Sequence, residues 1–160
     1  MIKQIEKVNI PECVQVIRKS FLTVADNFNF NKENAPRFTA FATTIERLEW
    51  QFQEGRPMFA YFNQKGKIVG YYSLNIQENN ECELNNLCVL PEYRHEKIGK
   101  SLIEHAFFYA KQINCKVMNI GIVEENVKLR KWYESYGAKH TSTKKFDFFP
   151  FTCGYMKKEL

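Results

Sequence analysis

The residues with the clearest capacity for chemistry stand together at Pro91-Glu92-Tyr93-Arg94-His95-Glu96-Lys97-Ile98-Gly99-Lys100-Ser101. The run lies between a strand-like apolar stretch and a segment of helical period, so it forms the approach to a helix N-terminus. The first backbone N–H groups of a helix have no partners within it, and the dipole there favours an anion. Gly99 lets the main chain come close to a ligand, while Arg94, Lys97 and Lys100 add positive charge. The chemistry that suits this arrangement is the holding of a phosphate. A solvated basic turn ahead of an ordinary helix is the plainer reading of the same charges.

Two other phosphate motifs fail. Gly99-Lys100-Ser101 resembles the end of a P-loop, but Arg94 stands where the leading glycine belongs. A dinucleotide-binding G-x-G-x-x-G fails because Lys97 and Leu102 occupy two of its glycine positions. The histidines (His95, His105, His140) and the cysteines (Cys13, Cys82, Cys88, Cys115, Cys153) show no ligand spacing and no C-x-x-C pair, so no metal is expected.

The elements that must position this loop follow from periodicity. Residues 2–8 read as a short strand, and Pro11 opens a helix with Val14, Ile17 and Phe21 at helical spacing. The Asn-rich stretch from Asn27 to Pro36 predicts a loop, and a second helix is expected over 42–54, ending at Gly55. Pro57 to Asn63 and Ile68 to Gln77 read as a β-hairpin, followed by a strand from Glu81 to Leu90. From Lys97 to Ile113 an apolar stripe marks a helix, Lys116 to Val123 a buried strand, and 126–136 a last helix ending at Gly137. Strands at 139–147 and 151–158 complete the chain. The order predicts an α/β (α+β) fold with a mixed sheet of about seven strands and about four helices on its faces.

Composition agrees with one globular domain over residues 1–160: 44% of residues are hydrophobic, 26% are charged, and neither repeats nor low-complexity tracts occur. No apolar run approaches the ~20 residues that cross a bilayer, and Met1 to Val8 lacks the apolar core of a signal peptide. Five scattered cysteines suit a reducing cytoplasm better than a disulfide framework. The net charge of +5 fits either solubility or an anionic ligand; the lysines and arginines are spread rather than gathered, so nucleic acid is not the expected partner.

Leu87-Cys88-Val89-Leu90-Pro91-Glu92-Tyr93-Arg94, with Lys97-Ile98-Gly99-Lys100-Ser101-Leu102, is similar to the acetyl-CoA-binding motif of the GNAT N-acetyltransferase superfamily. Downstream, Asn126, Leu129, Trp132-Tyr133-Glu134 and Gly137-Ala138 resemble that family's N-x-x-A-x-x-x-Y-E-x-x-G-F block, and the element order matches over nearly the whole chain. Two departures stand out. Lys97 replaces the first glycine of the loop, where positive φ is costly for any other residue, and Ala138 replaces a phenylalanine.

The resemblance implies a mostly antiparallel sheet and an acetyl-CoA-dependent enzyme. It implies that backbone amides of His95, Glu96, Lys97, Ile98, Gly99, Lys100 and Ser101 cradle the CoA pyrophosphate, with Arg94 beside them. The pantetheine arm would run along the strand edge at Leu87, Cys88 and Val89, where a backbone N–H polarises the acetyl carbonyl. Asn126 matches a pantetheine-binding position, although an asparagine there equally suits a helix N-cap. Tyr133 matches the acid that protonates the departing thiolate and is implied to contact the cofactor as well, and Glu83 matches a base that takes the amine's proton. Glu81 shares the face of Glu83 in ideal alternation and stays an alternative, as does water. Cys88 reads as strand packing rather than a nucleophile.

The acceptor is expected to be the primary amine of a small molecule. A protein or peptide amine is the alternative within the class, and a non-catalytic CoA-binding sensor the alternative outside it. The Phe-rich segments 28–38 and 146–151 could wall an acceptor pocket with aromatic rings or simply form core. By resemblance alone, a homodimer is an expectation.

Overall fold

The computed structural model describes residues 1–160. The elements run in chain order as β1 (Ile2–Gln4), a 3-10 turn, α1 (Ile10–Phe28), α2 (Thr39–Ala42), α3 (Ile45–Gln53), β2 (Met58–Phe62), β3 (Ile68–Ile76) and β4 (Glu81–Val89). A second 3-10 turn at Pro91–Tyr93 leads to α4 (Ile98–Gln112), then β5 (Val117–Val123), α5 (Val127–Ser135), β6 (Lys139–Lys145) and β7 (Thr152–Glu159). The seven strands form one sheet in the order β1-β2-β3-β4-β5-β7-β6, antiparallel throughout except for the parallel β4–β5 pair. This is the mixed, mostly antiparallel architecture expected.

Three details differ from the sequence reading. The first strand stops at Gln4, because Lys7–Asn9 coil into a 3-10 turn in which Asn9 Oδ1 accepts the Glu6 N–H at 2.8 Å. The first helix runs on to Phe28 and ends where Asn29 takes a left-handed turn, φ 59°. The helix expected over 42–54 begins only at Ile45 as α3, whose cap Thr44 accepts the Arg47 N–H at 3.1 Å, and a separate single turn, Thr39–Ala42, precedes it. That extra turn makes five helices where about four were expected. A hydroxyl that caps a helix start competes with continuous helix through the same residue, so the helix starts after Thr44 and not at 42.

Alternation along β3 sets the two layers. Tyr71 faces α1, in the company of Cys13 and the Cys88 thiol of β4. Gly70, its neighbour, faces α4: a Cβ there would stand 2.8 Å from Leu102 Cδ1 and 3.2 Å from the Cys88 carbonyl. The helix α4 therefore rests directly on the strand backbone, with Ile98, Leu102, Ile103, Ala106 and Ala110 buried beneath it. Gly70→Ala should lower stability by ~1–3 kcal/mol through overpacking, read as a lower denaturation midpoint with an unchanged slope; an unchanged midpoint would mean that the helix shifts freely.

The core also holds ionisable groups that stay neutral. Burial pushes the thiols of Cys13, Cys82 and Cys88 up to about 12 from an ordinary 9.0, and burial raises Tyr71, Tyr72 and Tyr133 as well. The unfolded chain releases these thiol protons near 9.0 while the folded chain holds them to about 12. Stability is therefore full below that lower value and falls as pH rises through the interval. The melting temperature should be level to about pH 8.5 and drop steadily towards pH 11; a level profile over that range would contradict the burial of these groups. No helix is long and apolar enough to cross a membrane.

Candidate active site

The site begins with a fault in β4. Ser73 pairs with Asn85 and Tyr71 with Cys88, so two steps on β3 meet three on β4, and the extra residue, Asn86, takes φ 55°. This is a β-bulge, and asparagine tolerates the left-handed conformation it needs. Below the bulge β4 pairs in parallel with β5, from Glu81↔Val117 to Leu84↔Ile120. Above it the pairing ends, although β5 continues to Val123 against β7. The two central strands part like the arms of a V.

The parted arm of β4 carries free backbone groups. The Leu90 N–H donates to the Val69 carbonyl of β3 at 2.9 Å, so alternation turns the N–H groups of Leu87 and Val89 the other way, into the gap. The Val89 carbonyl accepts from Arg94 Nε at 3.2 Å. A chain with its own amide groups laid along Leu87–Val89 would find there the partners that β5 leaves vacant.

At the top of the gap the chain curls into the N-terminus of α4. His95 and Lys97 both take left-handed conformations, φ 73° and φ 62°. The lysine thus adopts the turn that a glycine would adopt freely, at a cost of ~1–2 kcal/mol. The N–H of Ser101 is the first of α4 to find a backbone acceptor, the Lys97 carbonyl at 3.1 Å. Those of His95, Glu96, Lys97, Ile98, Gly99 and Lys100 donate to nothing in the chain. Free N–H groups beside left-handed residues at a helix start suit an anion, and the helix dipole adds to this. These amides fit a pyrophosphate.

The charged side chains around the cradle are placed differently. Those of His95, Glu96 and Lys97 are exposed, Lys100 lies 3.9 Å from Glu104, and the Ser101 hydroxyl donates back to the Lys97 carbonyl. Arg94 reaches away from the loop and donates to the carbonyls of Val89 and of Ser20 in α1. It ties the end of β4 to α1. Trp132 of α5 packs where a Gly99 Cβ would come within 3.4 Å, which sets α5 beside the start of α4.

That contact brings Tyr133 to the gap. The residue is 6% exposed and lies near the Cys88 thiol. Its hydroxyl forms no hydrogen bond with the chain and, unlike those of Tyr71 and Ser73, is not sealed from solvent. Burial raises its pKa, so it is a neutral proton donor at physiological pH. Asn126 caps α5, its Oδ1 accepting the Leu129 N–H at 3.2 Å, which leaves its amide N–H groups free. Cys88 is buried, and with its thiol raised to about 12 it offers no thiolate.

On the α1 face, below the fork of the V, lies a cleft of about 300 Å³ with Glu83, Asn119, Tyr155, Ser142 and Lys157 among its lining residues. Glu83 and Glu81 share this face, as alternation requires, but their surroundings differ. Glu81 Oε1 accepts from Asn119 Nδ2 at 3.2 Å and pairs with Lys157 Nζ at 3.6 Å. Glu83 has no hydrogen-bond or ion-pair partner in the chain, and its charge contributes to raising the Tyr155 phenol, a shift whose main cause is burial. Of the two carboxylates, Glu83 is the one left open to a ligand.

The aromatic segments do not wall this cleft. Phe30, Phe38 and Phe151 are buried with Ala25, Ala35, Ala40 and Val123 in a second small core, joined by ring contacts of 4.9–5.8 Å. Phe146 and Phe148 lie outside that core, with Lys144 and Arg37 at 4.7 and 4.2 Å from the ring centres, and Phe148 stays exposed. The cleft is polar instead. Tyr155, Asn119 and Lys157 had no signal in the sequence, because they reach Glu83 only through the pairing of three strands.

A V-shaped gap between parallel central strands, an amide cradle at one end and a carboxylate cleft at the other define an acyl-CoA-dependent transferase site. The model of the Acetyltransferase (GNAT) family matches residues 22–138. The chain belongs to that family, and it is a GNAT N-acetyltransferase. An uncharacterized N-acetyltransferase from Lactobacillus delbrueckii subsp. lactis is 23% identical over 147 residues, covering 85% of this chain and 82% of that one. The fold matches the crystal structure of PaiA N-acetyltransferase from Thermoplasma acidophilum in complex with coenzyme A, with a TM-score of 0.82, 20% identity, and 100% and 98% of the two chains covered. It also matches ribosomal-protein-alanine N-acetyltransferase from Brucella melitensis, with a TM-score of 0.76, 18% identity, and coverage of 100% and 99%.

Proposed function

We propose that this protein transfers the acetyl group of acetyl-CoA to the primary amine of a small polar molecule, by direct attack within a ternary complex. The observation that carries this reading is the pairing of two unpartnered groups across the fork: the Tyr133 hydroxyl in the gap and the Glu83 carboxylate in the cleft. Acetyl-CoA supplies the activated acyl group as a thioester. The amides of His95 to Lys100 hold its pyrophosphate, and the edge of Leu87–Val89, together with the free amide of Asn126, holds the pantetheine arm.

Glu83 takes a proton from the bound ammonium, directly or through water, and frees the nitrogen lone pair. A backbone N–H of the parted β4 arm stabilises the oxygen as the nitrogen adds to the carbonyl carbon. When the carbon–sulfur bond breaks, Tyr133 gives its proton to the leaving sulfur and recovers one, through water, from the nitrogen, which sheds its second proton as the amide forms. Burial keeps the phenol protonated until the sulfur departs. Cys88 is buried as strand packing and takes no covalent role in this reading.

The test is thiol release from acetyl-CoA with polyamines, amino acids, amino sugars and short peptides as acceptors. A small-molecule amine should turn over best. Preference for peptides would replace the small acceptor with a protein, and silence with every amine, despite stabilisation by acetyl-CoA, would sink the catalytic reading of this site.

A further inference from the structure

Strand pairing lays five residues in one row across the α1 face of the sheet. Asn75 pairs with Glu83, Glu83 with Asn119, Asn119 with Lys157, and Lys157 with Lys139. The row runs from a carboxylate to two cations. Lys157 and Lys139 are exposed and stand directly opposite each other on neighbouring strands. Like charges so placed destabilise a hairpin, and an anion between them would relieve the repulsion. Glu81 does so only in part: it reaches Lys157 alone, at 3.6 Å, and shares its oxygen with Asn119.

The rest of the cleft is suited to a polar ligand. Gln77, Asn119, Ser142 and Tyr155 line it, and none of the phenylalanines of 28–38 and 146–151 is among its lining residues. Building on the N-acetyltransferase reading above, we infer that the acceptor is a zwitterion, whose ammonium group lies at Glu83 and whose carboxylate or other acidic group lies at Lys157 and Lys139. Two strand spacings separate Glu83 from Lys157, ~10 Å between Cα atoms. After a hydrogen bond of ~2.9 Å at each end, ~4 Å remains between the ligand's amine nitrogen and its acidic group. Lys157 and Lys139 are then the residues that decide specificity, and an acceptor lacking the acid leaves them opposed and unpaired.

The test compares kcat/KM for α- and ω-amino acids with that for their own primary amides, in the thiol-release assay. The best acceptor should be an acid, and amidation should cost it at least ~10-fold, the scale for losing one charged contact. In K139M/K157M the difference between acid and amide should shrink to less than ~3-fold, whereas Lys158→Met, on the α4 face beside Phe107, should keep it. Equal turnover of acids and amides by the unaltered protein, or a best acceptor with no acidic group, would overturn the inference while leaving the N-acetyltransferase intact. Discrimination that survives in K139M/K157M would overturn the assignment to these lysines. No thiol release with any amine would instead strike at the reading on which the inference rests.

Discussion

Tyr133→Phe should lower kcat by roughly 100-fold or more, the usual scale for a positioned proton donor. The affinity for acetyl-CoA should change by less than ~3-fold, since the phenol itself is not part of the amide cradle. The substitution is unusually clean here. The hydroxyl has no partner in the chain, so its removal orphans nothing, and the ring keeps its packing against Trp132 at 5.1 Å. The melting temperature should hold or rise slightly. Measuring kcat, the dissociation constant of acetyl-CoA and the melting temperature together separates chemistry from structure. Turnover within a few-fold of the unaltered protein would assign the proton to water and leave Tyr133 as packing. Because burial raises its pKa, kcat of the unaltered protein should also show no loss near pH 10, where an ordinary tyrosine ionises.

Glu83→Gln should cost a similar factor, ~100-fold in kcat/KM at neutral pH, by removing the base while keeping shape and hydrogen-bonding capacity. Its pH dependence is the more telling readout. Without the carboxylate the amine must lose its proton to solvent before it binds productively. The residual activity should then climb about tenfold per pH unit towards the pKa of the amine itself. Glu81→Gln should do less, because that carboxylate is already held by Asn119 and Lys157. If Glu81→Gln were the more damaging of the two, the base would have to be reassigned one step along the face. A flat profile for Glu83→Gln would leave deprotonation to some other group.

Much of this molecule is legible in the chain because it is set by local physics. A proline opens α1, a stripe at helical spacing buries one side of α4, and alternation places Glu81 and Glu83 on one face. The amide cradle belongs here too, since a strand, a glycine and a helix start are neighbours in sequence. Even its departure, Lys97, is accommodated locally, through a left-handed turn.

What only the tertiary structure decided depends on partners far apart in sequence. The bulge at Asn86 and the loss of pairing beyond Leu84 open the gap, and nothing in the local pattern of β4 distinguishes a strand that parts from its neighbour from one that does not. Arg94 reads as a ligand for phosphate, yet Ser20, on a helix more than seventy residues earlier, supplies a carbonyl that draws it inward. The phenylalanines read equally as pocket or as core, and the meeting of two remote loops made most of them core. Glu83 became distinct from Glu81 only when β5 and β7 brought Asn119 and Lys157 to one carboxylate and not to the other. Residue type and spacing determined which groups could react. Strand pairing, which acts across the chain rather than along it, determined which of them were left free to do so.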